Sequence, residues 1–297
     1  MTSEAAALDW ESLERRVSAA LGTRLRGGMR LGKPRPRRAT WAAASENGEE
    51  LIVKARRGDF ADEQIPWTAR HLPQLGARGY PVPEIVWHGP LDGEWYVLVQ
   101  RKLPGRPLHT LDASLLERVL ELVELQADAG VDDTSARGHD FGEYQTHVLF
   151  DDWDEVWRDA AAASAPAAEF CERLRRHLAP VRGYRVPSTD FAHNDLHLAN
   201  ILGDDGAVTG VIDWDAFAFN TRAVDLVALA FDCARLGEAA MVETLMGRVV
   251  RIAGGDGALC VVAYRAIAHL SALQRRHEGR GAADVIAAAE TTIGLLR

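Results

Sequence analysis

The sequence has little cysteine and no long apolar segment. It contains three cysteines in 297 residues, Cys171, Cys233 and Cys260, and their spacing fits neither a zinc site nor a disulfide framework, which predicts a reducing compartment. No apolar run is long enough to span a membrane, and the N-terminus lacks the basic-then-apolar order of a signal peptide. We therefore expect a cytoplasmic protein without a membrane partner.

An excess of basic charge is also missing. The formal net charge is −9 with histidine neutral, which argues against nucleic acid as the main partner and favours small cationic ligands. Many carboxylates lie in an acidic middle segment, which consists of Asp132, Asp133, Asp140, Glu143, Asp151, Asp152, Asp154 and Glu155. Apolar residues make up 47% of the chain, enough for a large core, and the length suits two lobes better than one.

The most informative polar pattern lies between Phe191 and Asp215. His193, Asp195 and Asn200 form an H-x-D-x-x-x-x-N loop, in which the Asp can accept a proton from an attacking hydroxyl and the Asn can bind Mg²⁺. The apolar pair Val211-Ile212 then leads to Asp213, a strand-held carboxylate suited to the same metal. This combination predicts phosphoryl transfer from a nucleotide.

The chain resembles the aminoglycoside phosphotransferases and their choline-kinase-like relatives, which are small cousins of the protein kinases. The motifs that carry the resemblance occur in the family's order and are Lys54, Pro81-Val82-Pro83, Leu103-Pro104-Gly105, His193-Asn194-Asp195 with Asn200, and Ile212-Asp213-Trp214. The resemblance implies an α+β, bilobal protein-kinase-like fold. It has a small antiparallel-sheet N-lobe, residues 1–102, which binds the nucleotide, and a mainly helical C-lobe, residues 103–297, which carries the catalytic and substrate sites. Asn194 replaces the more usual Gly, a departure expected to stiffen the loop.

Lys54 is expected to end the second of two predicted strands. By the resemblance it binds the nucleotide phosphates and is held by a glutamate from the following helix. Glu63 is the candidate for that partner, although the register of the family places the glutamate nearer to Thr68 or Arg70. A solvated lysine at the end of a strand is the structural alternative.

The adenine site is implied by position alone. The segment Trp95–Gln100 has the β-branched and apolar character of a buried strand that leads into the connection between lobes. The resemblance then places Gln100 at the back of the pocket and the backbones of Arg101 and Leu103 against the adenine edge. A glycine-rich, basic stretch, residues 27–38, corresponds to the loop that covers the nucleotide, or is simply a mobile basic loop.

Local patterns predict the main secondary structure. Apolar spacing indicates helices over residues 9–21, 60–78 and 111–128, with Pro66 interrupting the first turn of the second one. Strands over 40–45 and 50–55 flank Asn47-Gly48, a dipeptide suited to the positive φ angles of a hairpin turn. From Ala223 onward the spacing is helical, with breaks near Gly237, Gly254 and Gly279.

The acidic middle segment also provides the candidate substrate site. Asp151, Asp152 and Asp154 lie among Trp153, Trp157 and other aromatic residues, and carboxylates beside rings can bind ammonium groups. Asp215 could bind the substrate or a second metal. For the acidic segment, a solvated helix face with buried tryptophans is an equally open alternative, and for Asp215 the alternative is a turn cap. We read His193, His197, His269 and Asp225 as structural.

These expectations define an ATP-dependent O-phosphotransferase with Mg²⁺, in which GTP could replace ATP. The expected substrate is a small cationic hydroxylated antibiotic that the enzyme inactivates, either an aminoglycoside or a basic cyclic peptide of the viomycin and capreomycin type. A metabolic kinase for choline, a sugar or a homoserine-like alcohol is the alternative, with a regulatory pseudokinase disfavoured because the catalytic set is intact. The sequence leaves monomer or homodimer open.

Overall fold

The chain forms two compact units. The computed structural model describes residues 8–33, 35–58, 60–91, 95–130, 139–151, 154–276 and 281–296. The first unit comprises the described residues up to Gly105 together with Thr209–Asp215, and the second comprises the rest. The predicted lobe boundary after Lys102 refers to a division of roles between nucleotide and substrate, and it stays a prediction.

The first unit is a sheet with two helices. Its strands pair antiparallel in the order β1-β2-β3-β5-β4. The elements are α1 (Trp10–Leu21), β1 (Leu25–Arg30), β2 (Arg38–Ser45), β3 (Glu50–Arg57), α2 (Ala61–Ala77), β4 (Ile85–Pro90) and β5 (Trp95–Arg101). Helix α1 begins where Asp9 accepts the Ser12 N–H at 2.7 Å, and it buries Leu13 and Val17 in the core of this unit. The predicted first helix is confirmed.

The hairpin between β2 and β3 is confirmed with one change at its turn. Gly48 has a positive φ of 82°, whereas Asn47 does not share this conformation, so glycine alone provides the left-handed residue. Strand β3 continues to Arg57, so Lys54 lies inside the strand, opposite Thr40 and Leu98, and does not end it. A residue bonded on both sides within a sheet is held firmly.

Helix α2 continues through its two prolines. Pro66 is the sixth residue of the helix and does not interrupt the first turn as the sequence suggested. A proline removes one backbone hydrogen bond, but the buried side chains of Ile65, Leu72 and Leu75 pack along this helix and stabilise it. Tertiary packing therefore outweighs the local proline signal.

The second unit is mainly helical. Its helices are α3 (Ala113–Glu124), α4 (Phe141–Phe150), α5 (Asp154–Ala162), α6 (Ala165–Leu178), α7 (Ala223–Leu236), α8 (Ala239–Arg275) and α9 (Ala282–Gly294). Gly237 ends α7, and Gly254 kinks α8 with a φ of 70°, so two of the predicted breaks are confirmed. Gly279 lies outside the described residues. No described helix is both long and apolar enough to cross a membrane.

Short strands position the loops of the second unit. Its strands are β6 (Arg106–Pro107), β7 (Asp190–Ala192), β8 (Ile201–Asp204) and β10 (Ala218–Asn220), and β9 (Ala207–Val211) runs from this unit into the first. Strand β7 pairs antiparallel with β10, and β6 pairs with β8. The H-x-D-x-x-x-x-N segment therefore connects β7 to β8, and each of these strands is held by pairing with a different strand.

Candidate active site

The loop between β7 and β8 contains a non-glycine residue in the left-handed conformation. Asn194 has a φ of 63°, a region that asparagine tolerates better than most side chains. Its Nδ2 donates to the carbonyl oxygens of Ala192 at 3.2 Å and Ala216 at 3.0 Å, and its Oδ1 accepts from Asn220 at 2.6 Å. Asn194 can therefore replace a glycine here and fixes the loop through its side chain as well.

A buried carboxylate from α7 holds the same loop. Asp225 is fully buried and accepts the backbone N–H groups of His193 at 2.9 Å and Asn194 at 2.8 Å, and the amide of Gln126 at 2.8 Å. Burial raises the pKa of Asp225, whereas His193 and these hydrogen bonds act in the opposite direction. Asp225 is a brace for the loop, as the sequence suggested.

Asp195 is the residue after Asn194, and it presents its carboxylate to solvent. The side chain is 45% exposed, and its Oδ1 accepts from Nη1 of Arg265 at 3.1 Å. Its backbone oxygen accepts from Nδ2 of Asn200 at 3.0 Å, and Nε2 of His197 lies 3.8 Å from Oδ2. The geometry thus combines a rigid backbone with an accessible carboxylate.

Asn200 is buried within a short 3₁₀ turn. Its Nδ2 serves the loop, so the amide oxygen is the atom that it can offer to a ligand. Among the described residues no group of three or more His, Cys, Asp or Glu side chains is arranged to hold a metal ion alone. Nucleotide-bound Mg²⁺ needs only one or two protein oxygens beside the phosphates, and an amide oxygen fits that requirement.

A cluster of opposite charges occupies the first unit. The buried Lys54 donates from Nζ to Oδ1 of Asp213 at 2.6 Å and to Oδ1 of Asp215 at 3.2 Å. Arg56 donates from Nε to Oδ2 of Asp215 at 2.6 Å, and Arg38 lies 3.6 Å from the same oxygen. Lys54, Asp213 and Asp215, all singled out from sequence, are therefore brought together.

The two carboxylates of this cluster differ in accessibility. Asp213 is 48% exposed and adopts a left-handed φ of 65°, so its carboxylate remains reachable. Burial opposes ionisation of Asp215, but Lys54, Arg56 and Arg38 outweigh it and hold the pKa of Asp215 well below its usual range. Asp215 is a permanent anion surrounded by cations, whereas Asp213 keeps an open side.

The expected partner of Lys54 is corrected. Glu63 is exposed in the first turn of α2 and does not pair with Lys54, which bonds to Asp213 and Asp215 instead. Thr68, at the register suggested for a family glutamate, is buried and carries no charge. The helix therefore offers Lys54 no buried carboxylate, and the chain after β9 supplies one.

The predicted adenine edge lies at the end of β5. Gln100 is buried, and the backbone N–H of Arg101 donates to the backbone carbonyl of Glu84 at 2.9 Å, so this N–H is already engaged. The Arg101 side chain pairs with Glu49 and Glu84. Its hydrogen bond to Glu49 and the negative charges of Glu49 and Glu84 raise the pKa of Arg101. Leu103 packs closely on Gly210, because a Cβ added to Gly210 would lie only 2.7 Å from Cδ1 of Leu103.

The basic stretch over residues 27–38 is partly strand. Gly27 and Gly28 belong to β1, and a Cβ at Gly28 would lie 2.0 Å from the Trp10 ring. Pro34 lies outside the described residues. Gly28 allows Trp10 of α1 to pack on the sheet, and the place of both glycines in β1 corrects the expectation that they begin a loop.

A cavity of about 850 Å³ adjoins Asp195 within the second unit. The charged groups on its walls are balanced between arginine and aspartate, and its described lining contains no aromatic ring apart from histidine. The residues that line it are Leu108, His109, Asp195, His197, Leu198, Ala199, Asp232, Arg235, Leu236, Arg265, Ala268, His269, Ala272, Leu273, Arg276, Gly281, Asp284 and Val285. Its volume suits a small molecule.

The sequence matches the model of a phosphotransferase enzyme family over residues 37–252, which is most of the chain. The chain belongs to that family. No curated protein sequence matches this phosphotransferase.

Solved structures share the fold of the phosphotransferase at low identity. An aminoglycoside phosphotransferase APH(4)-Ia variant, in ternary complex with AMP-PNP and hygromycin B, is 17% identical with a TM-score of 0.71, covering 96% of this chain and 98% of that one. A putative fructosamine-3-kinase from Thermobifida fusca is 20% identical with a TM-score of 0.63, covering 96% and 100%. An amicoumacin kinase, solved in complex with AMP-PNP, Ca²⁺ and Ami, is 14% identical with a TM-score of 0.61, covering 96% of this chain and 94% of that one. The predicted kinase-like α+β fold is confirmed.

The two described candidate substrate carboxylates, Asp151 and Asp215, do not line the Asp195 cavity. Asp151 is exposed, pairs with His147, and lines a different cavity of the second unit, one that includes Trp157. Asp152 lies outside the described residues, as does the side chain of Asp154. Trp157 is buried, and its Nε1 donates to the backbone carbonyl of Val148 at 2.8 Å. The guanidinium carbon of Arg175 lies 4.8 Å from the centroid of the Trp157 ring. At Trp157 the structural alternative, a buried tryptophan, is the correct one.

Sequence reasoning missed the arginine that contacts Asp195. Arg265 lies on α8, 70 positions after Asp195, and no short motif marks it. A basic residue in an apolar-spaced helix was the available signal, because Arg265 interrupts the run from Cys260 to Leu270, in which most residues are buried. Only the fold relates it to the loop.

Proposed function

We propose that this phosphotransferase transfers the γ-phosphoryl group of ATP to a hydroxyl of a small molecule. The observation that carries the proposal is the accessible Asp195 carboxylate, held on a braced loop at the wall of a cavity large enough for a small substrate. A hydroxyl that enters this cavity can donate to Asp195, which orients it and accepts its proton. The resemblance and the geometry of the loop support the same role.

The other proposed roles concern the nucleotide. Lys54 binds the phosphates, and the backbones of Arg101 and Leu103, with Gln100 behind them, receive the adenine. Asn200 and Asp213 each offer an oxygen to Mg²⁺, which neutralises charge on the phosphates when bound. Lys54 and Arg56 supply further positive charge, so catalysis rests on positioning and electrostatics, since this reaction needs little covalent help. GTP remains a candidate donor.

Asp215 takes the place of the missing helix glutamate in this proposal. We expect Asp215→Asn to raise the KM for ATP about tenfold, because Lys54 and Arg56 would lose the anion that fixes them. Steady-state kinetics at several Mg²⁺ concentrations would test this. A defect that disappears at high Mg²⁺ would instead identify Asp215 as a ligand of a second metal, and Asp215→Glu should restore part of the affinity.

The acceptor is a small hydroxylated compound, and antibiotics remain candidates. The acidic middle segment was the reason to expect a polycationic drug, but its described side chains do not line the Asp195 cavity. Choline is disfavoured, because the described lining lacks the aromatic rings that bind a quaternary ammonium. Aminoglycosides, basic cyclic peptides, sugars and homoserine-like alcohols form the test panel.

The experiment that tests the function is Mg-ATP-dependent phosphorylation of this panel, followed by mass spectrometry. We expect one compound to gain a phosphoryl group, about 80 Da, with the wild-type protein and not with Asp195→Asn. ATP binding without any transfer across a broad panel would favour the regulatory pseudokinase.

A further inference from the structure

The Asp195 cavity is lined by three arginines and three described aspartates, and two of each form ion pairs with one another. Asp232 accepts the Leu198 N–H at 2.8 Å and pairs with Arg235, and Asp195 pairs with Arg265. Asp284 lies exposed in the first turn of α9. A ligand entering this cavity would therefore meet three arginines and three described carboxylates, with Arg276 and Asp284 outside the two ion pairs.

Arg265 is only 13% exposed on its side chain, yet its bonding is incomplete. Its Nη1 donates to Oδ1 of Asp195 at 3.1 Å and to the backbone carbonyl of Asn194 at 3.4 Å. The buried Nε has no hydrogen-bond partner in the part of the chain that the structure describes. A guanidinium carries five N–H donors in a rigid fork that matches a carboxylate or a phosphate. Arg265 thus keeps donors for an anionic ligand beside the proposed base.

Arg276 and the start of α9 add to this positive character. Arg276 follows α8, is exposed, lines the cavity, and forms no ion pair with the described carboxylates. Helix α9 begins at the same wall, where Gly281 lines the cavity, and no side chain among the described residues caps its first N–H groups. Uncapped N–H groups at a helix start favour an anion.

The pKa of His269 responds to these positive charges. Burial lowers its pKa well below the usual range, and Arg265, Arg235, His197 and Arg276 act in the same direction. Positive groups therefore converge on the inner wall of the cavity from α7, from α8 and from the residue that follows α8.

We propose that the acceptor substrate carries an acidic group, a carboxylate or a phosphate monoester, that binds Arg265 and Arg276 while its hydroxyl lies at Asp195. Arg235 stays with Asp232 and contributes at longer range. The inference rests on the proposed function, and it changes the substrate class from a polycation to a hydroxylated acid.

The first arm of the test measures anion binding without transfer. Malonate and inorganic phosphate are titrated calorimetrically into the full chain with Mg-ADP present, so that the nucleotide site is filled. We expect Arg276→Gln and Arg265→Gln to weaken binding about tenfold or more. Arg275→Gln is the matched control: the neighbouring arginine pairs with Asp159 at 2.7 Å and does not line this cavity, so binding should be unchanged.

The second arm compares acceptors that differ in the acidic group. Gluconate with glucose, homoserine with its amide, and glycerol 3-phosphate with glycerol are tested for Mg-ATP-dependent phosphorylation. We expect an acidic member to exceed its neutral partner about tenfold in kcat/KM, and Arg276→Gln to remove the difference. Preference for malonate or for phosphate in the first arm identifies the acidic group.

The two arms separate the two proposals. Anion binding equal in wild type and both arginine variants would overturn the acidic substrate class, even if another compound is phosphorylated through Asp195. Phosphorylation of neutral or cationic members alone would overturn it as well. Arginine-dependent anion binding with no transfer to any acceptor would support the anion site and contradict the proposed function.

Discussion

Replacement of Asp195 by asparagine is expected to lower kcat by about 10²–10⁴-fold, with little change in ATP affinity. The amide keeps the size of the side chain but cannot accept the hydroxyl proton, and a positioned general base contributes about this factor. ATP affinity should persist, because the proposed phosphate ligand Lys54 does not depend on Asp195. Turnover by steady-state kinetics and nucleotide affinity by calorimetry would check the two halves of the prediction.

The control for this variant is Asp256→Asn, the same chemical change at an exposed position on α8 that does not line the cavity. It should keep wild-type kcat and KM. Near-normal turnover in Asp195→Asn would contradict the role of Asp195 as the proton acceptor. An equal loss in both variants would point to a general sensitivity of the fold.

The parts of the site that sequence predicted are those that depend on local spacing. Asp195 and Asn200 lie in one loop, and the four residues between them let the Asn200 amide donate to the Asp195 backbone carbonyl at 3.0 Å. Asp213 follows an apolar strand, which holds it near Lys54. Such relations are set by short stretches of backbone, and a sequence pattern can therefore carry them.

Relations between distant segments were not available from the sequence. Arg265 meets Asp195 only because α8 packs in the same unit. Asp215 replaces Glu63 beside Lys54 because β9 returns the chain to the first unit. The acidic middle segment shows the reverse error. Charge density along the chain does not tell which side chains face a cavity, and Asp151 turns to His147.

The fold followed from the same logic. Apolar periodicity located α1, the β2–β3 hairpin and the breaks at Gly237 and Gly254, because each is a local response to burial or to a glycine. Pro66 misled, since packing of α2 along its buried face exceeds the loss of one backbone hydrogen bond. Tertiary packing therefore decides where local signals conflict.

The largest effect on stability is expected from Asp225→Ala. The carboxylate is fully buried and accepts three N–H donors, from His193, Asn194 and Gln126. Alanine would leave these donors without an acceptor inside the fold, which should lower the free energy of unfolding by about 3–5 kcal/mol. Urea denaturation would measure this, with Asp256→Ala expected to change the free energy by less than about 0.5 kcal/mol.

This variant also tests whether Asp225 positions the Asp195 loop or only stabilises the core. Asp225 contacts the backbone at the two residues before Asp195, so a folded Asp225→Ala protein should show a lower kcat at temperatures where it is still fully native. Asp225→Asn keeps one acceptor oxygen and should fall between alanine and wild type in both stability and kcat. A large loss of stability with unchanged kcat in the native state would mean that the loop holds Asp195 in place without Asp225. In that case the fixed side chain of Asn194, with its bonds to Ala192, Ala216 and Asn220, would be sufficient to position the proposed base.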